Sequence, residues 1–352
     1  MKATARAPAN IALIKYWGKQ NEELRLPLNS SISINLSNCH TITTVKFSPK
    51  YKQELVEIRD YSSSERSESR SHWTSSGLSS RQARTVIHVN FKEERRVVGH
   101  LERIRKLAKI HLKAKVVSKN SFPSSAGIAA SASGFAALTL AATKAAGLSL
   151  SEKELSILAR LGSGSACRSI PDGFVEWQQA KTSQESYAYS LCPPDYWDLR
   201  DIIAIVQKQE KKISSTKGME KVFTSPFLKA RLKEMKNKIE KIKKALKEKD
   251  FRLLGEVTEE EAINIHCVMM TQKPPLFYWS ELTIKIIKAV CQWREKGLPI
   301  YFTIDAGSNV HLICQAKDEK EVVKKLKKIN GVLDVIINKP AQGARLINEH
   351  LF

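Results

Sequence analysis

Residues 120–137 read NSFPSSAGIAASASGFAA, and this stretch decides the fold. It opens with polar residues and a proline, continues through small residues around Gly127, and closes as an apolar run with helical spacing. Small side chains let backbone N–H groups approach a ligand closely. A helix start adds unpaired N–H donors and the positive end of its dipole. Together these make an anion site, most often for phosphate. The alternative use of such a stretch is a small-residue helix packed tightly on a sheet. No lysine follows the glycine, which excludes the G-x-x-x-x-G-K-[ST] type of phosphate loop.

Upstream, AKVVSKNSF (114–122) reads as the strand that feeds this loop, and RRVVGHLERIRKLAKIH (95–111) has an amphipathic helical period. TVIHVNF (85–91) reads as a strand. SSISINLS (30–37) alternates as a half-buried strand does, and the β-branched TITTVKFS (41–48) is expected to pair with it. Residues 50–85, rich in Ser, Arg and Glu, read as an exposed insert. Downstream, the helix after Gly127 runs to about Lys144, and SLSEKELSILARLG (149–162) carries its own N-cap serine. A second small-residue loop, GSGSACRS (162–169), and a strand, FVEWQQA (174–180), follow.

CPPDYWDL breaks the pattern near Leu191 to Leu199, which places a boundary between a domain at 1–190 and another at 191–352. The second half begins with a strand, DIIAIVQK (201–208), and a polar loop, SSTKGM (214–219). Long helices come next, then two strands joined by a tight turn within GLPIYFTIDAGSNVHLICQ (297–315), a last helix and a last strand, VLDVIINKP. Strands and helices are mixed throughout, so the expected class is α+β in two domains.

The chain of 352 residues carries a formal charge of +22. Such a charge fits nucleic acid, a membrane surface or anionic small molecules as partners. Much of it lies in Lys211 to Lys249 and Lys317 to Lys328, where apolar residues at helical spacing make the lysines solvated outer faces. No stretch of about eighteen apolar residues is present, so no membrane span is expected. The N-terminus has no long apolar core and reads as that of a mature protein, and the cysteine pattern points to a reducing, cytoplasmic location. Six scattered cysteines without CxxC pairs read as free thiols rather than disulfides or a zinc site.

Four polar loops concentrate chemistry: Ala7 to Lys19, Phe122 to Ser133, Gly162 to Ser169, and Thr303 to Asn309. Lys15 and Lys19 share a face if their segment is helical, where two ammonium groups could hold a polyphosphate; otherwise they are surface lysines. Arg168 can grip phosphate in bidentate fashion or form a salt bridge. Asp305, at the end of an apolar strand, is placed at a cleft rim or caps its own turn. Two anion loops, paired lysines, an arginine and a carboxylate together point to phosphoryl chemistry.

APANIALIKYWGK (7–19), LPLNSSISINLS (26–37), FPSSAGIAASASGFAAL (122–138), GSGSACRS (162–169), ISSTKGM (213–219) and DAGSNVHLI (305–313) closely resemble the diphosphomevalonate decarboxylase family of the GHMP kinase superfamily. The resemblance spans nearly the whole chain in order. It implies an N-terminal domain like ribosomal protein S5 domain 2, a C-terminal GHMP domain, and an active site between them. It implies ATP and Mg2+, a homodimer, and phosphorylation of the tertiary hydroxyl of (R)-5-diphosphomevalonate. Loss of phosphate and carbon dioxide then gives isopentenyl diphosphate.

Carried over by position, Asp305, Lys15 and Ser131 resemble the catalytic residues, with Ser131 nearest the metal or γ-phosphate. Tyr16, Lys19, Arg95, Ser163, Ser165, Arg168, Ser214 and Ser215 resemble substrate-binding positions. Pro123, Ser124, Ser125, Ala126, Gly127, Ala129, Ser131 and Ser133 resemble the ATP loop. Four residues depart from the family pattern. Ala130 stands where a serine is usual, Ser308 where proline is usual, and Pro171 with Asp172 precede Gly173, which sets an acid beside an expected anionic substrate. A 5-phosphomevalonate decarboxylase and a mevalonate 3-kinase remain alternatives within the superfamily. Presence of both Lys15 and Asp305 argues against the kinase. A basic nucleic-acid-binding or scaffold protein on this fold is the alternative outside enzymes.

Overall fold

The structure is a computed structural model that describes residues 1–59, 91–123, 130–207 and 213–352. The expected strand at 85–91 lies outside the described residues up to position 90, and Phe91 already belongs to helix α1 (Phe91–Ala108).

A seven-stranded sheet forms the first layer. Its centre is β1 (Lys2–Ile14) against β4 (Ser31–Ser48). The two stretches expected to pair with each other, 30–37 and 41–48, are instead one continuous strand, β4, and both halves pair with β1. No turn-forming pair interrupts Ser37-Asn38-Cys39-His40, so the chain runs on. Beyond β4 its two halves take different partners: β6 (Lys113–Asn120) along 41–48 and β7 (Phe174–Trp177) along 31–34. β8 (Ala188–Cys192) continues from β7. At the far edge β5 (Leu55–Arg59) runs parallel to β6, so the start of the supposed exposed insert is a strand; residues 60–85 of that insert lie outside the described residues. On the other edge β13 (Arg345–Ile347) pairs with β1, a strand beyond the one expected to be last. Two short strands, β2 (Lys19–Asn21) and β3 (Leu26–Pro27), pair as a separate sheet.

A register irregularity between Pro8 and Asn10 positions the site. Ala3, Ala5 and Ala7 pack with α1 and with α2 (Ala130–Ala145), whereas Ala9, Ile11 and Leu13 pack on the opposite face. Side chains of one parity therefore change face at the bulge. Asn10 is thereby turned toward the 164–169 turn, where its Nδ2 donates to Ser169 Oγ at 2.8 Å.

The second sheet has the order β10-β11-β9-β12, with β9 (Leu199–Ile205), β10 (Ile300–Thr303), β11 (Val310–Gln315) and β12 (Asp334–Asn338). Of the eight α-helices among the described residues, six complete the fold: α3 (Glu152–Gly162), α4 (Ser215–Met219), α5 (Leu228–Glu248), α6 (Phe251–Thr271), α7 (Glu281–Glu295) and α8 (Glu319–Lys327). α4 starts at Ser214, whose Oγ accepts from Lys217 N; SSTKGM is thus a short capped helix, not a loop.

Helices α5 and α6 form a hairpin that packs on the first sheet, joining Met235, Ile242, Leu254 and Val257 to Ile11, Leu13 and Ile34 in one core. On α5 the lysines are largely exposed, as their spacing predicts, but Arg231 and Lys238 are buried. All six cysteines are free. Among the described residues no helix is long and apolar enough to cross a membrane.

Candidate active site

A cavity of about 760 Å3 lies where the first sheet, the start of α2, the 164–169 turn and the β10–β11 loop meet. Its polar end gathers Lys15, Tyr16, Ser163, Ser165, Arg168 and Asp305, and Ser131, Ser214 and Ser215 also reach its wall.

β1 ends at Ile14, so Lys15 leaves the sheet edge and its ammonium reaches Asp305 Oδ1 at 2.6 Å. The segment is not helical, and Lys15 and Lys19 share no face. Lys19 Nζ instead pairs with Glu22 and is absent from the cavity wall. Asp305 sits in the β10–β11 loop, where Gly307 N–H donates to its carbonyl at 2.7 Å. Thr283 Oγ1, in the first turn of α7, donates to Ser308 O at 2.6 Å, which ties down the turn where serine replaces the usual proline. Burial lowers the Lys15 pKa, against the pull of Asp305 and Glu261. Burial would raise Asp305, but Lys15, His311 and Arg168 together hold it below the usual carboxylate value. The contact is therefore an ion pair with its carboxylate ready to accept a proton. Behind it lies His266 of α6, whose pKa burial, followed by the Lys15 charge, lowers to about 3.

Arg168 is buried and makes no salt bridge among the described residues. Its guanidinium donates from Nε and Nη2 to Asn10 Oδ1 at 3.3 and 3.1 Å and from Nη1 to Ser31 Oγ at 2.6 Å. Buried cations are normally paired, so this one is suited to an anion from outside the chain. Beside it the Tyr16 hydroxyl is buried without a hydrogen-bond partner among the described residues, and burial raises its pKa above the usual tyrosine value. Gly164 is needed there: a Cβ on it would lie 2.7 Å from the Tyr16 ring.

Ser131 Oγ, in the first turn of α2, lies 3.2 Å from Ser163 Oγ, so the two small-residue loops meet. Ser124, Ser125, Ala126, Gly127 and Ala129 lie outside the described residues. Pro123 is described but is not on the cavity wall. Ser133 is fully buried between Thr41 Oγ1, at 2.7 Å, and the Ala130 carbonyl, and it faces the sheet rather than the cavity.

Arg95 is exposed; its neighbour Arg96 lines the cavity, stacked 4.7 Å from the Phe135 ring and donating to Gly162 O. The helical phase of α1 puts Arg96 with buried Val97 and His100, a periodicity present in the sequence. The far end of the cavity is apolar, with Val56 and Ile58 of β5, Val97, Val116 and Leu138. The alternation LVEIR at 55–59 carries that strand. Asp172 is exposed and off the cavity wall, and its Oδ1 accepts from Gly343 N at 2.6 Å. Pro171 lends its carbonyl to Asn35 Nδ2. These two departures serve the C-terminal tail and the sheet, not the ligand site.

The two-sheet α+β architecture with this interdomain site is of the GHMP type. A model described as the diphosphomevalonate decarboxylase-like N-terminal domain matches residues 7–92 and 74–188, and one for the mevalonate 5-diphosphate decarboxylase C-terminal domain matches 201–344. The chain belongs to the diphosphomevalonate decarboxylase family. It is 35% identical to the diphosphomevalonate decarboxylase of Candida albicans over 337 residues, 94% of this chain and 88% of the relative. A solved structure of MDDEF in complex with MVAPP, AMPPCP and magnesium is similar at 35% identity and a TM-score of 0.86, covering 99% of both chains. Mevalonate diphosphate decarboxylase from Staphylococcus aureus is similar at 34% identity and a TM-score of 0.85, covering 98% of both chains.

Proposed function

We propose that this protein catalyses the ATP-dependent decarboxylation of (R)-5-diphosphomevalonate to isopentenyl diphosphate, with ADP, phosphate and carbon dioxide released. The observation that carries it is the Lys15–Asp305 contact of 2.6 Å on the wall of a cavity shared with the carboxylate-free Arg168. Asp305 accepts the proton of the substrate's tertiary hydroxyl. Lys15 keeps Asp305 ionised and balances charge as the hydroxyl oxygen becomes a nucleophile. Arg168, Tyr16, Ser163 and Ser165 hold the carboxylate and diphosphate, with Ser214 and Ser215 on the facing wall. The apolar end beside Val56, Val97 and Leu138 takes the adenine, and Arg96 lies between the two ends.

Among the described residues no cluster of His, Cys, Asp or Glu could hold a metal ion, so Mg2+ fits here on the nucleotide's own phosphates, with Ser131 as the side chain to reach it. Mg-ATP supplies the phosphoryl group that turns the tertiary oxygen into a leaving group. Domains at 1–190 and 191–352, with the β13 tail returning to the first, a homodimer and a cytoplasmic location complete the proposal. The test is release of ADP and carbon dioxide from ATP, Mg2+ and, in turn, mevalonate, its 5-phosphate and its 5-diphosphate. Equal amounts of both products from the diphosphate alone are expected. ADP without carbon dioxide, or preference for another substrate, overturns the proposal.

A further inference from the structure

We propose that Arg231 and Glu261 are positioning residues for the Lys15–Asp305 pair, acting through the Lys15 backbone carbonyl; this rests on the reading of that pair as the reacting one. Leu228, Arg231, Met235, Lys238, Ile242 and Ala245 form the buried stripe of α5, so two cations occupy core positions. Arg231 Nη2 donates to Glu261 Oε1 at 2.5 Å and to Lys15 O at 3.0 Å. Its Nη1 donates to Asn29 Oδ1 at 3.1 Å, and Asn29 Nδ2 in turn donates to the same Lys15 carbonyl at 3.0 Å. Lys238 Nζ backs Glu261 at 3.3 Å. Both Arg231 and Glu261 side chains are wholly buried.

Stability does not account for this arrangement. A buried Arg–Glu pair is commonly no better than apolar residues of the same volume. Here the Arg231 Nε is left without a partner as well. The network does serve the backbone at Lys15. β1 has ended one residue earlier, so this carbonyl lies past the end of the strand and is held by Asn29 and Arg231. Fixing it fixes the root of the side chain whose ammonium must meet Asp305. After Asp305, Glu261 also favours the charged form of Lys15. The charged and titratable groups that face Asp305 are Lys15 from the end of β1, Arg168 from the 164–169 turn, His311 from β11 (paired with Asp201) and His266 from α6. Among the described residues only Lys15 makes a side-chain hydrogen bond to its carboxylate, so a small displacement of Lys15 changes the ionisation of Asp305.

The experiment is steady-state kinetics across pH with Arg231→Lys and Asn29→Ser in the full chain, alongside Asp305→Asn and Lys15→Met. Arg231→Lys keeps the buried charge but cannot fork to Asn29 and Lys15. It is expected to lower kcat about 10- to 100-fold, the scale of a misplaced reacting group, with substrate KM little changed. The acid limb of its kcat profile moves to higher pH, because Asp305 loses part of the contact that holds it ionised. Asn29→Ser, which alters no charge, moves the limb the same way by less. An unmoved limb in both variants, with kcat at wild type or reduced only with the folded fraction, overturns the inference. If Arg231→Lys does not fold, wild-type behaviour of Asn29→Ser overturns it alone. Turnover retained by Asp305→Asn and Lys15→Met sinks the reading of the pair, and the inference with it. Inactive pair variants beside a normal Arg231→Lys sink the inference only.

Discussion

Replacing Lys15 by Met tests the centre of the site most directly. The ammonium lies 2.6 Å from Asp305 Oδ1, with the Lys15 side chain 4% and that of Asp305 25% exposed. At an effective dielectric constant near 20, that separation corresponds to a gross attraction of about 6 kcal/mol. Solvent at the partly exposed carboxylate and the desolvation of both charges leave about 2 kcal/mol of it as net effect. With Lys15 gone, burial of Asp305 is opposed only by His311 and Arg168, so its pKa rises. The lost stabilisation of charge in the transition state should lower kcat about 100- to 1,000-fold. The assay is ADP release in single turnover across pH, paired with a carbon NMR titration of labelled aspartate. A residual rate within about threefold of wild type, or an acid limb that stays in place or moves to lower pH, would refute the assignment of Lys15 as the group that keeps Asp305 ionised.

Arg168→Lys retains the charge but loses the planar fork to Asn10 and Ser31. Diphosphomevalonate KM should rise about 10- to 100-fold with ATP KM unchanged, and an unchanged diphosphomevalonate KM would refute the anion role. Gly164→Ala places a Cβ 2.7 Å from the Tyr16 ring, so calorimetry should show a lower Tm from about 1–3 kcal/mol of overpacking, with a raised substrate KM; wild-type values of both would contradict the packing. His100 predicts loss of stability in acid. Its Nε2 meets Thr139 Oγ1, its Nδ1 is buried without a partner, and burial lowers its pKa from the usual 6.5 to about 3. The unfolded chain then binds the proton more readily, so stability is complete above pH 6.5, declines below it, and the full contribution is lost as pH falls through about 3. Replacement by Asn should flatten the dependence of Tm on pH by the equivalent of about 2 kcal/mol at pH 5. An equally steep decline in the variant would count against it.

Local chemistry made much of the site legible. Small residues before an apolar helical run, a Gly-Ser turn around Arg168 and a carboxylate at a strand end each carry their purpose within a few residues. The failures were of another kind. Arg95 resembles a substrate-binding position, yet it is exposed and the phase of α1 puts Arg96 on the cavity wall, because a motif match carries no information on which side of a helix faces inward. Ser133 carries the right chemistry for a phosphate loop, yet it lies on the sheet side of α2 and is taken up by Thr41. Lysines on α5 read as a solvated face, and most are. Arg231 and Lys238 fall three and ten residues after Leu228, on its apolar stripe, a signal visible in the spacing but overridden by composition.

By itself the sequence determined the α+β class, the family and the loops that carry chemistry, since these depend on residue type and on neighbours within a turn or two. Tertiary structure decided which of those residues meet. Lys15 and Asp305 are 290 residues apart, and no local rule links them. The bulge after Pro8 that turns Asn10 toward Arg168 depends on the register with β4. The merging of two expected strands into one β4 depends on having β1 beside both of its halves. The stretch at 120–137 supplies the start of a helix; its use as half of a site follows from the sheet that brings Ser131 to within 3.2 Å of Ser163. Contacts of long sequence separation are fixed only when the core closes, because the entropy of bringing such segments together is offset by burial of the whole face and not by any one pair.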